Sequence, residues 1–175
     1  MLKQKVYQAM KTEGWGENKA CLLAVSTGVD SMVLLHVIER LFQNQGSFGV
    51  AHVNHRLREA SNEEAMFLRE YCQVRGIPYY ERVWQNPPES GIEAAAREFR
   101  YRFFAETMTL QGYDWLLTAH HADDQMETML MKMIREGRLQ NASGIKRKQS
   151  FEGGELIRPL LTIPKADIRE YAQMN

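Results

Sequence analysis

Apolar and polar positions along the chain follow two periods, and the switches between them mark out alternating strands and helices. Cys21 to Val25 is a short continuous apolar run, the pattern of a strand buried on both faces. Met32 to Phe42 is longer, with Val33, Leu34, Val37, Ile38 and Leu41 at helical spacing. Ser47 to Val53 predicts a second strand. Ser61-Asn62-Glu63-Glu64 has the form of a capping box that opens a helix, and Gly76 ends it. Ile77 to Trp84 predicts a third strand, and Gln85 to Gly91, with Pro87 and Pro88, a loop. Ile92 to Leu110 predicts a long helix with Ala96, Phe99, Phe103 and Leu110 on one face. Tyr113 to Ala119 predicts a fourth strand, Asp123 to Arg135 a helix, and Leu156 to Leu161 a fifth strand. Met126, Met129, Leu130 and Met133 repeat at helical spacing and are expected in the core. Trp84 and Trp115 lie in strand-like runs and read as core.

The alternation implies an α/β fold: a doubly wound, mainly parallel five-stranded sheet with helices on both faces. Ligands of such sheets sit beyond the carboxyl ends of the strands, near the point where strand order reverses. The first, second and fourth strands each end in a polar motif, so those motifs are expected to converge.

Composition narrows the class. The chain has 175 residues, enough for one domain with one core. Its 22 basic and 22 acidic residues leave no general attraction for RNA, so any nucleic-acid contact must be local. Cys21 and Cys72 sit in apolar segments and form no CxxC pair, as expected of core thiols in a reduced, cytoplasmic protein. Met1 to Trp15 reads as a short amphipathic helix through Leu2, Val6 and Met10. No apolar run is long enough to span a bilayer, so no membrane partner is expected.

The densest chemistry begins in the turn after the first strand, Ser26-Thr27-Gly28-Val29-Asp30-Ser31. A strand, a tight turn of small residues and a helix N-terminus point backbone N–H groups and the positive end of the helix dipole at one spot, which suits a phosphate. Asp30 places beside it a carboxylate able to hold Mg²⁺. There is no Gly-Lys-Ser/Thr and no three-glycine dinucleotide turn. An ordinary βα turn capped by Ser or Asp has the same composition. His52, Asn54 and His55 end the second strand, as a polar strand-end cluster also would. Arg97 and Arg100 lie near one helix face, although Glu93, four residues before Arg97, offers a plain surface ion pair. His120, Asp123, Asp124 and Glu127 form the densest titratable group. Asp123 and Asp124 in a first helical turn also suit simple capping, and His with Asp can bind transition metals in a hydrolase, though a dinuclear site would need more ligands. Lys132 to Gln149 carries six basic residues, Lys132, Arg135, Arg138, Lys146, Arg147 and Lys148, against Glu136, and its Gly137, Asn141, Ser143 and Gly144 predict a loop.

Ala51-His52-Val53-Asn54-His55-Arg56-Leu57-Arg58, Ala94-Ala95-Ala96-Arg97-Glu98-Phe99-Arg100-Tyr101, Thr118-Ala119-His120-His121-Ala122-Asp123-Asp124-Gln125-Met126-Glu127-Thr128 and Ile157-Arg158-Pro159-Leu160-Leu161, taken with the turn, resemble the bacterial tRNA(Ile)-lysidine synthetases. These are members of the N-type ATP pyrophosphatases, with an adenine nucleotide alpha hydrolase-like fold. The turn resembles the superfamily's Ser-Gly-Gly-x-Asp-Ser loop, with Thr27 at a position usually glycine. The loop alone indicates only the superfamily; the His-Val-Asn-His and His-His-Ala-Asp-Asp-Gln segments narrow it. The resemblance covers about Ala20 to Ala172. It implies ATP and Mg²⁺ as cofactors, with Ser26, Thr27, Gly28, Val29, Asp30 and Ser31 on the phosphates and the backbone at Val53 and Asn54 on the adenine. Asp30 and Asp124 are expected to hold the metal. Arg97 is expected to grip phosphates or the lysine carboxylate, and His120 to handle phosphate or a proton. The implied substrates are tRNA(Ile) with a CAU anticodon and L-lysine, with RNA contact through Lys132–Gln149. Two alternatives stay open: another tRNA-modifying ATP pyrophosphatase such as a thiolation enzyme, which the lack of a paired cysteine near the loop disfavours, and a non-catalytic nucleotide- or RNA-binding module. Pro164 to Asn175 begins like a helix, with Thr162 as a possible cap. The chain is expected to be an N-type ATP pyrophosphatase catalytic domain, residues 1–175, truncated before further tRNA-binding domains.

Overall fold

The computed structural model describes residues 1–16, 18–43, 47–56, 60–136 and 144–175. Helix α1 (Leu2–Thr12) precedes strand β1 (Ala20–Ala24), helix α2 (Val29–Phe42), strand β2 (Ser47–Asn54), helix α3 (Ser61–Arg75) and strand β3 (Tyr79–Val83). Helix α4 (Ile92–Gln111), strand β4 (Trp115–Leu117), helix α5 (Ala122–Glu136), strands β5 (Lys148–Phe151) and β6 (Gly154–Ile157), and helix α6 (Lys165–Met174) complete the order. One sheet takes the order β3-β2-β1-β4-β6-β5, parallel throughout except for β5, which runs antiparallel to β6.

The sheet's pleat divides the core into two layers. Cys21, Leu23, Val50, Trp115, Leu117 and Ile157 pack with α1, α2, α3 and α6 on one face. Leu22, Ala51, Leu116 and Leu156 pack with Phe103, Phe104 and Met108 of α4 on the other. Strand neighbours that alternate between layers, both apolar, are what a sheet covered on both sides requires. Cys21, Cys72, Trp84 and Trp115 are buried as expected. The chain leaves β1 toward β2 on one side and later returns to β4 on the other, so strand order reverses between β1 and β4.

Several sequence expectations fail, each for a physical reason. The sheet has six strands rather than five, because Lys148–Phe151 forms an edge strand hairpinned onto β6 through Glu152 and Gly153, with Gly153 at φ +83°. That strand is polar and half-exposed and carries little hydrophobic signal. The segment expected as a fifth strand over Leu156–Leu161 ends at Ile157, where Arg158 and Pro159 break the ladder. Leu110 is exposed, and Met108 makes the last buried contact of α4. The capping box at Ser61 does not form: the helix is capped at Ala60 without a side-chain bond, and Glu64 instead accepts a hydrogen bond from Thr27 Oγ1 at 3.2 Å.

The largest reversal concerns α5. Met126 is 65% exposed and Leu130 56%, and Met129 is also exposed, so the expected core stripe faces outward. The polar side of the helix is turned inward: Asp124 accepts the His121 N–H, and Gln125 bonds both the N–H and the carbonyl of Ile145. Helical spacing defines an apolar face without saying which way it points. Thr162 does not cap α6 either. Its N-terminus is capped from a distance, by Asp123 Oδ1 accepting the Lys165 N–H at 3.0 Å.

Candidate active site

At the reversal of strand order lies a cleft of about 400 Å³, lined by the turn after β1, the end of β2, the segment after β4, and α4. That volume falls in the range of small-molecule sites. Of the residues singled out from sequence, Ser26, Gly28, Asp30, Ser31, Val53, Asn54, Arg97, His120 and Asp124 line it together. Thr27 and Val29 do not: Thr27 turns to Glu64, and the Val29 side chain faces solvent.

The turn is locked from within. Ser31 Oγ donates to the Gly28 carbonyl at 2.9 Å and accepts the Ser26 N–H at 3.2 Å. Gly28 caps α2 with extended backbone and no side-chain bond, which leaves the helix N-terminus without a side-chain cap, a geometry that suits an anion. Thr27 holds φ +66°, a conformation that a β-branched residue adopts at a cost on the order of 1–2 kcal/mol.

The end of β2 is equally fixed. His52 is buried and its Nδ1 donates to the Val25 carbonyl at 2.7 Å, which ties β2 to the end of β1. The Asn54 side chain donates to Asn62 Oδ1 at 2.9 Å and accepts the Arg56 N–H at 3.0 Å, so it shapes the loop. His55 stands edge-on to Trp84, with a pKa lowered by burial and then by Arg100. Arg58 lies outside the described residues.

From α4, Arg97 stacks on the Tyr101 ring at 4.8 Å, and Arg100 joins it in the cleft wall. Among the described residues neither pairs with a carboxylate, so the Glu93–Arg97 surface pair does not form and both charges remain available to an anion. Arg158 lies behind them, 3% exposed, donating to the Lys146 carbonyl at 2.6 Å and Gln149 Oε1 at 3.0 Å. Its Nε is buried without a partner. Ser61, Glu64 and Tyr101 also line the cleft; the sequence pattern marked Ser61 and Glu64 only as a capping box and Tyr101 only as the end of the α4 motif.

His120 donates to or accepts from Thr118 Oγ1 through Nδ1 at 2.9 Å. Burial, then the charge of Arg158, pushes its pKa down to about 4, with Arg97 and Arg100 adding to the depression and Asp124 opposing it. The imidazole is therefore neutral at pH 7. As pH falls below about 6.5, the unfolded chain takes up a proton at this residue before the folded chain does. Stability is thus full above that pH and declines between about 6.5 and 4, by on the order of 2–4 kcal/mol from this group. His120→Asn should flatten that part of a plot of urea midpoint against pH; an unchanged slope would assign the depression elsewhere.

Asp30 and Asp124 bring carboxylates to the cleft from α2 and α5. Asp30 Oδ1 is buried with no hydrogen-bond partner, while Oδ2 lies 3.5 Å from His121 Nε2 and 4.0 Å from Lys165 Nζ. Asp123 does not line the cleft and is spent on α6. Among the described residues no three His, Cys, Asp or Glu side chains form a ready-made metal centre. Two carboxylates beside a turn of this geometry suit Mg²⁺, which takes one or two protein carboxylates and completes its shell with phosphate oxygens and water.

The expected basic loop is only partly a loop. Lys132–Glu136 belongs to α5 and Lys148–Gln149 to β5, while Gly137, Arg138, Asn141 and Ser143 lie outside the described residues. Lys148 pairs with Glu155 at 2.8 Å, and Arg147 approaches Glu13 at 3.9 Å. No helix among the described residues is long and apolar enough to cross a membrane.

The PP-loop domain family matches residues 1–175. The chain is 48% identical over 170 residues to the tRNA(Ile)-lysidine synthase of Enterococcus faecalis, covering 95% of this chain and 37% of that protein. It is 50% identical over 154 residues to the enzyme of the same name from Lactiplantibacillus plantarum, covering 86% of this chain and 34% of that protein. The chain thus spans little more than a third of these curated relatives. A U34-tRNA thiolase from Methanococcus maripaludis superposes with a TM-score of 0.79 over 99% of this chain and 61% of its own, at 18% identity, a likeness of fold.

Proposed function

The chain belongs to the PP-loop domain family, and from that premise we propose that it is the catalytic domain of an enzyme that uses ATP to attach lysine to the wobble cytidine of tRNA(Ile) bearing a CAU anticodon. The observation that carries this reading is one cleft holding a helix N-terminus without a side-chain cap, the carboxylates of Asp30 and Asp124, and Arg97 and Arg100, neither of which pairs with a carboxylate among the described residues. Relatives 48% and 50% identical that are named for lysidine synthesis support the choice of substrate. The protein acts in the cytoplasm on this reading.

The cytidine's C2 carbonyl oxygen attacks the α-phosphorus of ATP, the α–β phosphoanhydride bond breaks, and pyrophosphate leaves. The lysine ε-amine then adds at C2, gives up a proton, and AMP departs with the former carbonyl oxygen. The N–H groups of the Ser26–Ser31 turn hold the phosphates that become pyrophosphate. Backbone at Val53 and Asn54, made rigid by the bonds of His52 and Asn54, receives the adenine. Asp30 and Asp124 hold Mg²⁺, which supplies positive charge to offset the negative charge of the leaving group. Arg97 grips phosphate or the lysine carboxylate. His120, being neutral, offers a hydrogen bond or accepts a proton and adds no standing charge.

Chemistry through a cysteine thiolate is disfavoured in this chain. Burial raises the Cys21 thiol to about 12 and Cys72 to about 11, so neither is a thiolate at neutral pH. The direct test is incorporation of labelled lysine into tRNA(Ile), with AMP and pyrophosphate released in equal amounts. Release of ADP, or ATP use without lysine transfer, would contradict the reading. RNA contact is assigned to Lys132–Gln149, and because Arg147 and Lys148 are drawn to Glu13 and Glu155, the informative charges are Arg135 and Lys146. Reversing both to Glu should weaken tRNA binding roughly tenfold, with a reduced salt dependence, and leave ATP affinity unchanged. Equal loss of both affinities would count against an RNA-facing segment.

A further inference from the structure

His121 has no place in the reaction described so far, yet it stands between the carboxylates on which that reaction depends. It is 4% exposed. Its Nε2 lies 3.5 Å from Asp30 Oδ2, and its Nδ1 lies 3.4 Å from Asp124 Oδ2 and 4.0 Å from Asp123 Oδ1. The backbone fixes it there: the His121 N–H donates to Asp124 Oδ2 at 2.9 Å, its carbonyl accepts the Gln125 N–H at 3.2 Å, and the next residue's N–H bonds the Ile163 carbonyl at 3.0 Å.

The ring is not held as a structural histidine is. His52, equally buried, spends its Nδ1 on a backbone carbonyl at 2.7 Å. His121 Nδ1 is buried without any hydrogen-bond partner, and so is Asp30 Oδ1. The imidazole therefore meets one oxygen of each carboxylate, on α2 and on α5, and leaves Asp30 Oδ1 uncommitted. A group this buried, facing carboxylates on two elements, fixes their spacing. Outer-shell contacts of this kind orient metal-binding carboxylates, and their loss costs 10–100-fold in metal affinity.

We propose that His121 is a positioning residue for the metal-binding carboxylates: its ring, wedged between the Oδ2 atoms of Asp30 and Asp124, sets their separation and leaves Asp30 Oδ1, which bonds nothing in the protein, to the cation. The proposal rests on the reading that Asp30 and Asp124 hold Mg²⁺. His121 is not itself a ligand, since Mg²⁺ prefers oxygen donors.

The test is Mn²⁺ binding measured by electron paramagnetic resonance, with a non-hydrolysable ATP analogue present. Wild type, His121→Ala, His121→Gln and Asp30→Ala are compared, each checked for folding by circular dichroism and thermal melting. His121→Ala should weaken Mn²⁺ binding roughly tenfold or more. His121→Gln, whose amide N–H still reaches one carboxylate, should recover part of the loss at a similar melting temperature. Wild-type affinity in both His121 variants, or equal loss in both, overturns the proposal, as does direct coupling of the metal to an imidazole nitrogen. Asp30→Ala tests the underlying reading separately: if it binds Mn²⁺ as wild type does, the carboxylate assignment fails, whatever the His121 variants do.

Discussion

Replacing Asp30 by alanine is expected to lower adenylate formation by about a thousandfold or more, roughly 4 kcal/mol of transition-state stabilisation, while leaving the fold intact. The side chain sits in the first turn of α2, where its charge favours the helix dipole by only about 0.3–1 kcal/mol. Its other neighbours, His121 at 3.5 Å and Lys165 at 4.0 Å, make charge contacts rather than hydrogen bonds, and Oδ1 bonds nothing in the protein. Removing it therefore costs the core little and deprives the cleft of a carboxylate. Pyrophosphate release with tRNA present, set beside a thermal melt, checks both halves. A folded variant that adenylates at the wild-type rate would remove Asp30 from the mechanism.

Asp123 and Asp124 are adjacent, yet their substitution should have opposite consequences. Asp124 lines the cleft and accepts the His121 N–H at 2.9 Å. Asp124→Asn keeps that acceptor and the side chain's shape but deletes the charge, so melting should barely move while pyrophosphate release falls by about a hundredfold or more. Asp123 points away and caps α6 through the Lys165 N–H. Asp123→Ala should cost about 1 kcal/mol of stability, the usual worth of a cap, with pyrophosphate release near wild type. The comparison reads the two quantities on both variants. Loss of activity in Asp123→Ala with Asp124→Asn fully active would exchange the assignments.

The fold was legible where burial alone decides. The unbroken apolar run at Cys21–Val25 and the strand-like segment Ser47–Val53 gave parallel strands because both faces of the sheet are covered, and each polar motif fell at a strand end, where the cleft formed. Direction was not legible where polar contacts decide. The Met126–Met133 stripe has core spacing, but α5 is oriented by Asp124 and Gln125, whose partners His121 and Ile145 become neighbours only in the fold. Strand β5 carries too little apolar character to be read, since it is an edge, and Glu152-Gly153-Gly154 was its only local mark. The site residues were legible as types in a motif, but their division of labour was not. Nothing in the pair Asp123-Asp124 says which carboxylate faces the cleft; α6, more than forty residues later, takes one of them. His121 and Arg158 were hidden for the same reason, because their roles depend on partners from other elements.

Withholding lysine gives the most direct test of the central account. The protein, incubated with tRNA(Ile) and ATP labelled in turn at the α- and γ-phosphate, should transfer the α-label to the tRNA and release the γ-label as pyrophosphate. Later addition of lysine should discharge that label as AMP while lysine joins the tRNA. Transfer of the γ-label with ADP as product, or no labelling of tRNA from either position, would contradict it.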